Sequence, residues 1–195
     1  GLFDASIGGT MVNRTLFKDA VGNVTSVNKT PEDTMLIHYY VRSYAPTQEV
    51  TGSLTVSGSF STNYVLRSCG VGLTSGWLLS AQNLGSWTGT TEKATIHESS
   101  VLSDRNSSPN ATPSANASVV SPKTYVNGTF YRDVTYVFAQ DAGNFSTGVG
   151  LLSLNPHAVS TGQSKMFQIQ FTPKIPKVLG QNLHFVIRNT WSIRG

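Results

Sequence analysis

The side chains that could do chemistry in this chain are few and poorly grouped. His97-Glu98 opens as a zinc-binding helix motif does, but the motif's second histidine is absent. The other histidines, His38, His157 and His184, lie far apart, and a histidine alternating within a strand is ordinarily a surface group or a satisfied core group. Glycoside hydrolysis needs two positioned carboxylates; any two of Glu92, Glu98, Asp133 and Asp141 meet that description, so no pair stands out. There is no Gly-x-Ser-x-Gly nucleophile elbow and no Walker loop. Gly70-Val71-Gly72 followed by Gly76 has the wrong spacing for a dinucleotide-binding turn and reads as tight strand turns. Cys69 is the lone cysteine and cannot close an internal disulfide. With no His or Lys beside it in sequence, it reads as a small buried hydrophobe rather than a reactive thiol. The expectation is a protein that is not an enzyme and holds neither metal nor cofactor.

Binding is better represented. Trp87 sits in the Gly/Thr-rich stretch Asn83-Leu84-Gly85-Ser86-Trp87-Thr88-Gly89-Thr90-Thr91, where an indole face either stacks on a sugar, anchors a protein contact, or folds back over the core. Lys174, Ile175 and Lys177 lie in Thr172-Pro173-Lys174-Ile175-Pro176-Lys177-Val178-Leu179-Gly180. The prolines of that stretch leave little ordering entropy to lose on binding. Trp87, Lys174, Lys177 and Ile175 are therefore the candidate receptor contacts, with packing against a neighbouring subunit or local packing as the other readings of the second stretch. Asp141 is the last acidic residue, so Lys165, Lys174, Lys177, Arg188 and Arg194 make a basic C-terminal third. These cations are scattered, with no Lys/Arg run and no RNA-type aromatic signature, which speaks against nucleic acid and for an acidic glycan or acidic protein partner. Eight Asn-x-Ser/Thr sequons, at Asn13, Asn23, Asn28, Asn106, Asn110, Asn116, Asn127 and Asn144, matter only on a secretory route. No apolar stretch approaches the roughly 20 residues of a membrane span, and the N-terminus has no signal-peptide pattern. Ala5 stands where a myristoylation motif wants Ser or Thr. The expectation is a mature or excised domain that does not insert into a membrane.

Composition decides what must position these groups. Charged residues make up 12% of the chain, half of the usual share of about 25%. In their place stand 24 Ser, 22 Thr and 13 Asn, residues that favour strands, turns and caps over helix interiors. Period-two alternation marks about nine or ten short segments: 35–44, 53–61, 64–73, 77–82, 94–102, 124–131, 134–140, 149–154, 165–172 and 183–193. In 165–172, Met166, Gln168 and Gln170 alternate with Phe167, Ile169 and Phe171, which predicts one wet and one buried face. The last segment sets Leu183, Phe185 and Ile187 against His184 and Arg188. Thr30-Pro31-Glu32-Asp33 has the residues of a helix start, but Leu36-Ile37-His38-Tyr39-Tyr40-Val41 favours a strand with at most a helical turn before it. Asn127-Gly128 marks a hairpin turn. From 103 to 123 the chain is mostly Ser, Asn, Ala and Pro and reads as a long exposed loop. The expected fold is all-β, an antiparallel β-sandwich of about eight to ten strands. It divides into an N-terminal lead-in, 1–33, and one domain, 34–195; two small domains meeting at the loop are the alternative.

The polar loop leads through Ser121-Pro122-Lys123 into Thr124-Tyr125-Val126-Asn127-Gly128, and the strand Asp133-Val134-Thr135-Tyr136-Val137-Phe138 follows. The chain then closes with the Met/Phe-alternating strand 165–172, a loop, and an aromatic-bearing strand to the C-terminus. This pattern, covering 103–195, resembles the C-terminal head, or knob, of the adenovirus attachment fibre. The Thr-Leu-Trp-Thr start and Ala-Gln-Glu ending usual in mammalian adenovirus heads are absent; the ending here is Trp191-Ser192-Ile193-Arg194-Gly195. The departures fit a divergent avian or reptilian type similar to the egg-drop-syndrome virus fibre, and avian reovirus attachment heads are similar in composition. What the resemblance implies is an antiparallel β-sandwich head that forms a homotrimer on a thin shaft, with 1–33 as the junction. It further implies binding to a host cell-surface protein or sialylated glycan, display on the virion surface, assembly in the host nucleus and no enzymatic activity. No receptor-binding residue carries over by motif. A bacterial or secreted β-sandwich adhesin, or a carbohydrate-binding module, is the alternative function.

Overall fold

Phe171 and Phe185 show how the alternating segments meet. Their rings stack with centroids 5.6 Å apart and planes at 14°, and each comes from a different sheet. The computed structural model describes residues 2–3, 11–13, 18–26, 46–56, 59–70, 93–122, 131–155 and 165–190. Among these the fold is all-β, without helix, and every strand pairing is antiparallel. The segments expected at 35–44 and 77–82, and the Asn127-Gly128 turn, lie outside the described residues, as does Trp87.

The chain divides into two compact units, 1–40 and 41–195. In the first, β1 (Leu2–Phe3) pairs with β2 (Met11–Asn13). A tight loop follows, in which Asp19 Oδ1 accepts from the N–H groups of Val21 (3.0 Å) and Asn23 (2.8 Å). Those bonds, the Asn23 N–H first, hold the Asp19 carboxyl below its ordinary pKa.

In the second unit a six-stranded sheet has the order β3 (Val50–Val56), β4 (Phe60–Ser68), β10 (Phe167–Ile175), β9 (Val149–Asn155), β5 (Lys93–His97), β6 (Ser114–Asn116). A three-stranded sheet has the order β11 (Leu183–Thr190), β8 (Tyr131–Phe138), β7 (Val119–Pro122). Both contribute to one apolar cluster, in which Ile96, Leu152 and Phe171 of the first sheet join Val134, Tyr136, Phe138 and Phe185 of the second. Phe138 meets Phe185 edge-on at 6.0 Å, a favoured aromatic geometry. Between β6 and β7 the chain passes from one sheet to the other: the Ala117 N–H bonds the Ala94 carbonyl (2.9 Å) and the Ser118 N–H the Val137 carbonyl (2.8 Å). The single segment expected at 53–61 is two strands. The register Val56↔Phe60 places a chain reversal inside it, which an alternation count overruns.

The other face of the large sheet departs most from expectation. Its cross-strand neighbours Arg67, Gln168, Ser153, Thr95 and Asn116 form one polar row, the face that alternation predicts to be wet. Yet Gln168 and Ser153 are 0% exposed and His97 is 1% exposed. The expected exposed loop lies across them. Gln168 accepts from the Ser103 N–H (2.8 Å) and donates to the Ser103 carbonyl (2.6 Å), so its amide pairs with that residue as a neighbouring strand would. Gln170 donates to the Ser100 carbonyl, Lys165 Nζ to the Pro109 carbonyl (3.3 Å) and Arg67 to the Ser103 carbonyl (3.3 Å). The Gly70 N–H reaches the Ser107 carbonyl (3.0 Å). The segment 98–113 is thus a strap bound mainly through its backbone, and its continuation supplies β6 and β7 rather than bare loop. Its paucity of large apolar side chains, Val101 and Leu102 apart, reflects the polar surface it covers.

The strap leaves β5 by passing hard against β9. A Cβ on Gly150 would lie 2.8 Å from the carbonyl oxygens of Glu98 and Ser99, closer than side chains and backbone approach. Gly150→Ala is expected to destabilise the domain by about 2 kcal/mol in urea unfolding. Gln168→Leu, similar in size but unable to pair with Ser103, is expected to lose about 2–3 kcal/mol and to speed amide exchange at Ser103. A loss under about 1 kcal/mol with unchanged exchange would mean that the pairing does not hold the strap.

Candidate functional site

The antiparallel order β10-β9-β5 brings the C-terminal ends of β5 and β10 beside the start of β9. Three chain segments therefore converge at one end of the sheet. Glu98 follows β5, Ser146 and Thr147 lead into β9, and Lys174 lies in the part of β10 where pairing with β9 shifts register between Gln170 and Ile175. Pro173, which has no N–H to give to a ladder, sits in that interruption. Gly148 closes the approach with φ +91°, and a Cβ there would stand 2.7 Å from the Ile175 carbonyl oxygen.

These residues, with Ser99 and Thr112 from the strap, line a polar hollow of about 280 Å³. Glu98 Oε1 accepts from Ser146 Oγ (2.8 Å), the Thr147 N–H (2.9 Å) and Thr147 Oγ1 (3.1 Å). Thr147 Oγ1 in turn accepts from Lys174 Nζ (2.7 Å). An ammonium, a hydroxyl and a carboxylate thus form one hydrogen-bonded row. The Thr147 N–H foremost, then the Ser146 hydroxyl, hold the Glu98 carboxyl below its ordinary pKa, and Lys174 adds to this. Chemically the row offers one anionic acceptor and one cationic donor, both fixed in position.

Of the sequence-derived candidates, Lys174 alone lines this hollow among the described residues. Ile175 is 0% exposed and belongs to the core cluster. Lys177 is 5% exposed, and its Nζ donates to Asn144 Oδ1 (2.8 Å). Burial lowers its pKa against the pull of Asp141. Ile175 and Lys177 therefore face inward rather than lying exposed as expected, because β10 continues through Ile175 where sequence reasoning placed a loop. Val178 and Leu179 beyond them are exposed. Among the described residues of the basic third, several cations are already paired. Lys165 and Lys177 are bound to internal acceptors, and Arg188 forms a two-point pair with Asp133 at 2.8 and 3.0 Å over the Tyr131 ring. Sequence reasoning weighed Glu98 only as one carboxylate among several and missed Ser146, Thr147 and Thr112. Nothing in their spacing links them; strand order does.

His97 and Ser153 resemble a catalytic pair, with Nε2 2.9 Å from Ser153 Oγ, but the serine is fully buried. Nδ1 lies 2.6 Å from the Ala111 carbonyl, which can only accept, so Nδ1 carries the hydrogen and Nε2 of the neutral ring accepts from Ser153. The pair pins the strap to the sheet. Cys69 is fully buried, donates to the Lys165 carbonyl (3.1 Å) and is pushed up to about 12 by burial, far from a reactive thiolate. Among the described residues no group of three His, Cys, Asp or Glu side chains is placed to hold a metal ion.

A second hollow, of about 650 Å³, runs between β3, β4 and β11 and is walled by Leu54, Tyr64, Leu66, Phe171, Phe185 and Ile187. Among the described residues it lies at the β3-β4 side of the six-stranded sheet, which is wider than the three-stranded one. Of the sequons, Asn106 and Asn110 are exposed on the strap, whereas the Asn144 amide is engaged with Lys177 and the Gln140 carbonyl. Comparisons with protein-family models, curated proteins and solved structures find no match to the chain.

Burial is the largest influence on the His97 ring and lowers its pKa from the ordinary 6.5, with Lys165 adding to the effect and the Ala111 bond opposing it. The unfolded chain therefore binds this proton first, and acid favours unfolding. The thermal midpoint is expected to fall as pH is lowered from about 7 to about 5, above the range in which Glu98 and Asp19 titrate. In His97→Gln the midpoint at neutral pH drops, but this slope is lost. A wild-type profile that is flat over the interval would contradict the assignment.

Proposed function

We propose that the chain is the receptor-binding head of a viral attachment fibre, adenovirus-like in type, which assembles as a homotrimer and holds the virion to a host cell-surface receptor. On this reading the head is displayed on the virion surface after assembly in the host nucleus, and it acts by binding without enzymatic turnover, cofactor or contact with nucleic acid. The observation that carries the binding role in this reading is the hydrogen-bonded row Lys174–Thr147–Glu98 at the end of an all-antiparallel frame. Rigid strands position a small polar site there, as recognition requires. The resemblance of 103–195 to fibre heads gives it context. Two further features support assembly. Low charge leaves faces that associate without desolvating ions, and the apolar hollow between β3, β4 and β11 is a surface that association would cover.

A secreted β-sandwich adhesin or carbohydrate-binding module is the second reading, and the same polar row favours it. Mass in solution separates the two. Light scattering is expected at three times the 20.9 kDa of one chain, about 63 kDa, whereas a stable monomer would favour the second reading. Lys174→Ala is expected to reduce binding to host cells about tenfold with its thermal midpoint unchanged. Lys177→Ala is expected to do the reverse, lowering stability by about 1–2 kcal/mol while leaving the binding of the folded fraction intact.

A further inference from the structure

We propose that the hollow lined by Glu98, Thr147 and Lys174 is a subsite for one neutral sugar residue, a hexose presenting neighbouring hydroxyls, and that an acidic sugar gains nothing there. The inference deepens the attachment reading and rests on it for the premise that the hollow faces a cell-surface glycan.

Unused hydrogen-bonding capacity defines the ligand. All three protein donors to Glu98 land on Oε1, which leaves Oε2 to accept from a ligand hydroxyl. The Lys174 ammonium has three N–H donors, of which one goes to Thr147 Oγ1. A pair of adjacent hydroxyls, one donating to the carboxylate and the next accepting from the ammonium, is the pattern these groups complete. Ser99 and Thr112 at the rim add hydroxyls that both donate and accept.

Charge then selects among sugars. Among the described residues, Glu98 and Lys174 are the only ionic side chains lining the hollow, and their formal charges cancel. A ligand carboxylate seated on Lys174 would share the hollow with the Glu98 carboxylate, and that like-charge contact offsets the attraction. A neutral polyol meets no such opposition.

Size and rigidity agree. About 280 Å³ is at the small end of ligand sites and suits one ring rather than a chain. Ser146, Thr147, Lys174 and Glu98 already bind one another, so little order remains to be imposed on binding. Among the described residues no aromatic ring lines the hollow to provide stacking, so the affinity of one site is weak, with Kd of about 1 mM or higher. Useful attachment would come from several copies acting together.

The test is a titration of the ¹⁵N-labelled full chain with methyl galactoside, methyl glucoside, methyl mannoside, lactose and 3′-sialyllactose. At least one neutral sugar is expected to shift the Thr147 and Gly148 amides, with sialyllactose binding no tighter than lactose. Lys174→Gln and Glu98→Gln are each expected to weaken binding about tenfold or more. Should Glu98→Gln loosen the turn at 146–148, Lys174→Gln alone decides. The proposal is overturned if no neutral sugar moves those amides at about 50 mM, if sialyllactose binds tenfold tighter than lactose, or if Lys174→Gln binds as wild type. Sugar shifts that persist in a chain unable to attach to cells would remove the attachment reading and leave the subsite. Attachment unaffected by Lys174→Gln would do the opposite.

Discussion

A sheet face made of glutamine, serine, threonine and histidine can be buried only if each polar group finds a partner. The whole second unit is organised around that requirement. Gln168 and Ser153 are fully buried on the outer face of the six-stranded sheet; the strap 98–113 meets Gln168 and His97 with backbone N–H and carbonyl groups, and His97 in turn meets Ser153. Ser153 has one hydroxyl proton and two acceptors within reach, His97 Nε2 at 2.9 Å and the Thr95 carbonyl at 3.2 Å. Once the strap is laid down, Glu98 and Thr112 at its two ends are delivered to the same hollow, and its continuation into β6 and β7 ties the two sheets together.

Period-two patterning made much of the frame legible. Val149 to Leu154, the Phe167–Ile169–Phe171 alternation and the Leu183–Phe185–Ile187 alternation each announce a strand, because apolar residues on one side of a pleat have few other ways to be buried. The same rule failed for Gln168, whereas His97 is the satisfied core histidine that was one of its two expected states. Alternation distinguishes apolar from polar, not buried from wet, and the two separate wherever a polar face is covered by another backbone. The strap itself was illegible for the complementary reason. Its contacts run mainly through main-chain groups that every sequence carries, so Ser, Asn, Ala and Pro looked like open loop.

The candidate site was legible at one residue. Lys174 was singled out from a stretch taken as loop, while Ile175 and Lys177 beside it turned inward once β10 proved to extend to Ile175. Glu98 and Thr147 are far from Lys174 in sequence and meet it only because β9 lies between β5 and β10. The scarcity of charge takes on a more specific meaning here. Several of the cations serve internal acceptors or a single carboxylate, so the ammonium at the hollow is one of few directed toward a prospective ligand.

The strap is held mainly by its main chain, while Asp104, Asn106, Ser107 and Asn110 point to solvent. Residue identity at these positions is nearly uncoupled from stability. Such a surface can change in sequence while the sheet beneath it, fixed by Gln168 and His97, stays constant. Lineages sharing this architecture would retain the buried polar row long after their outer faces had ceased to resemble one another.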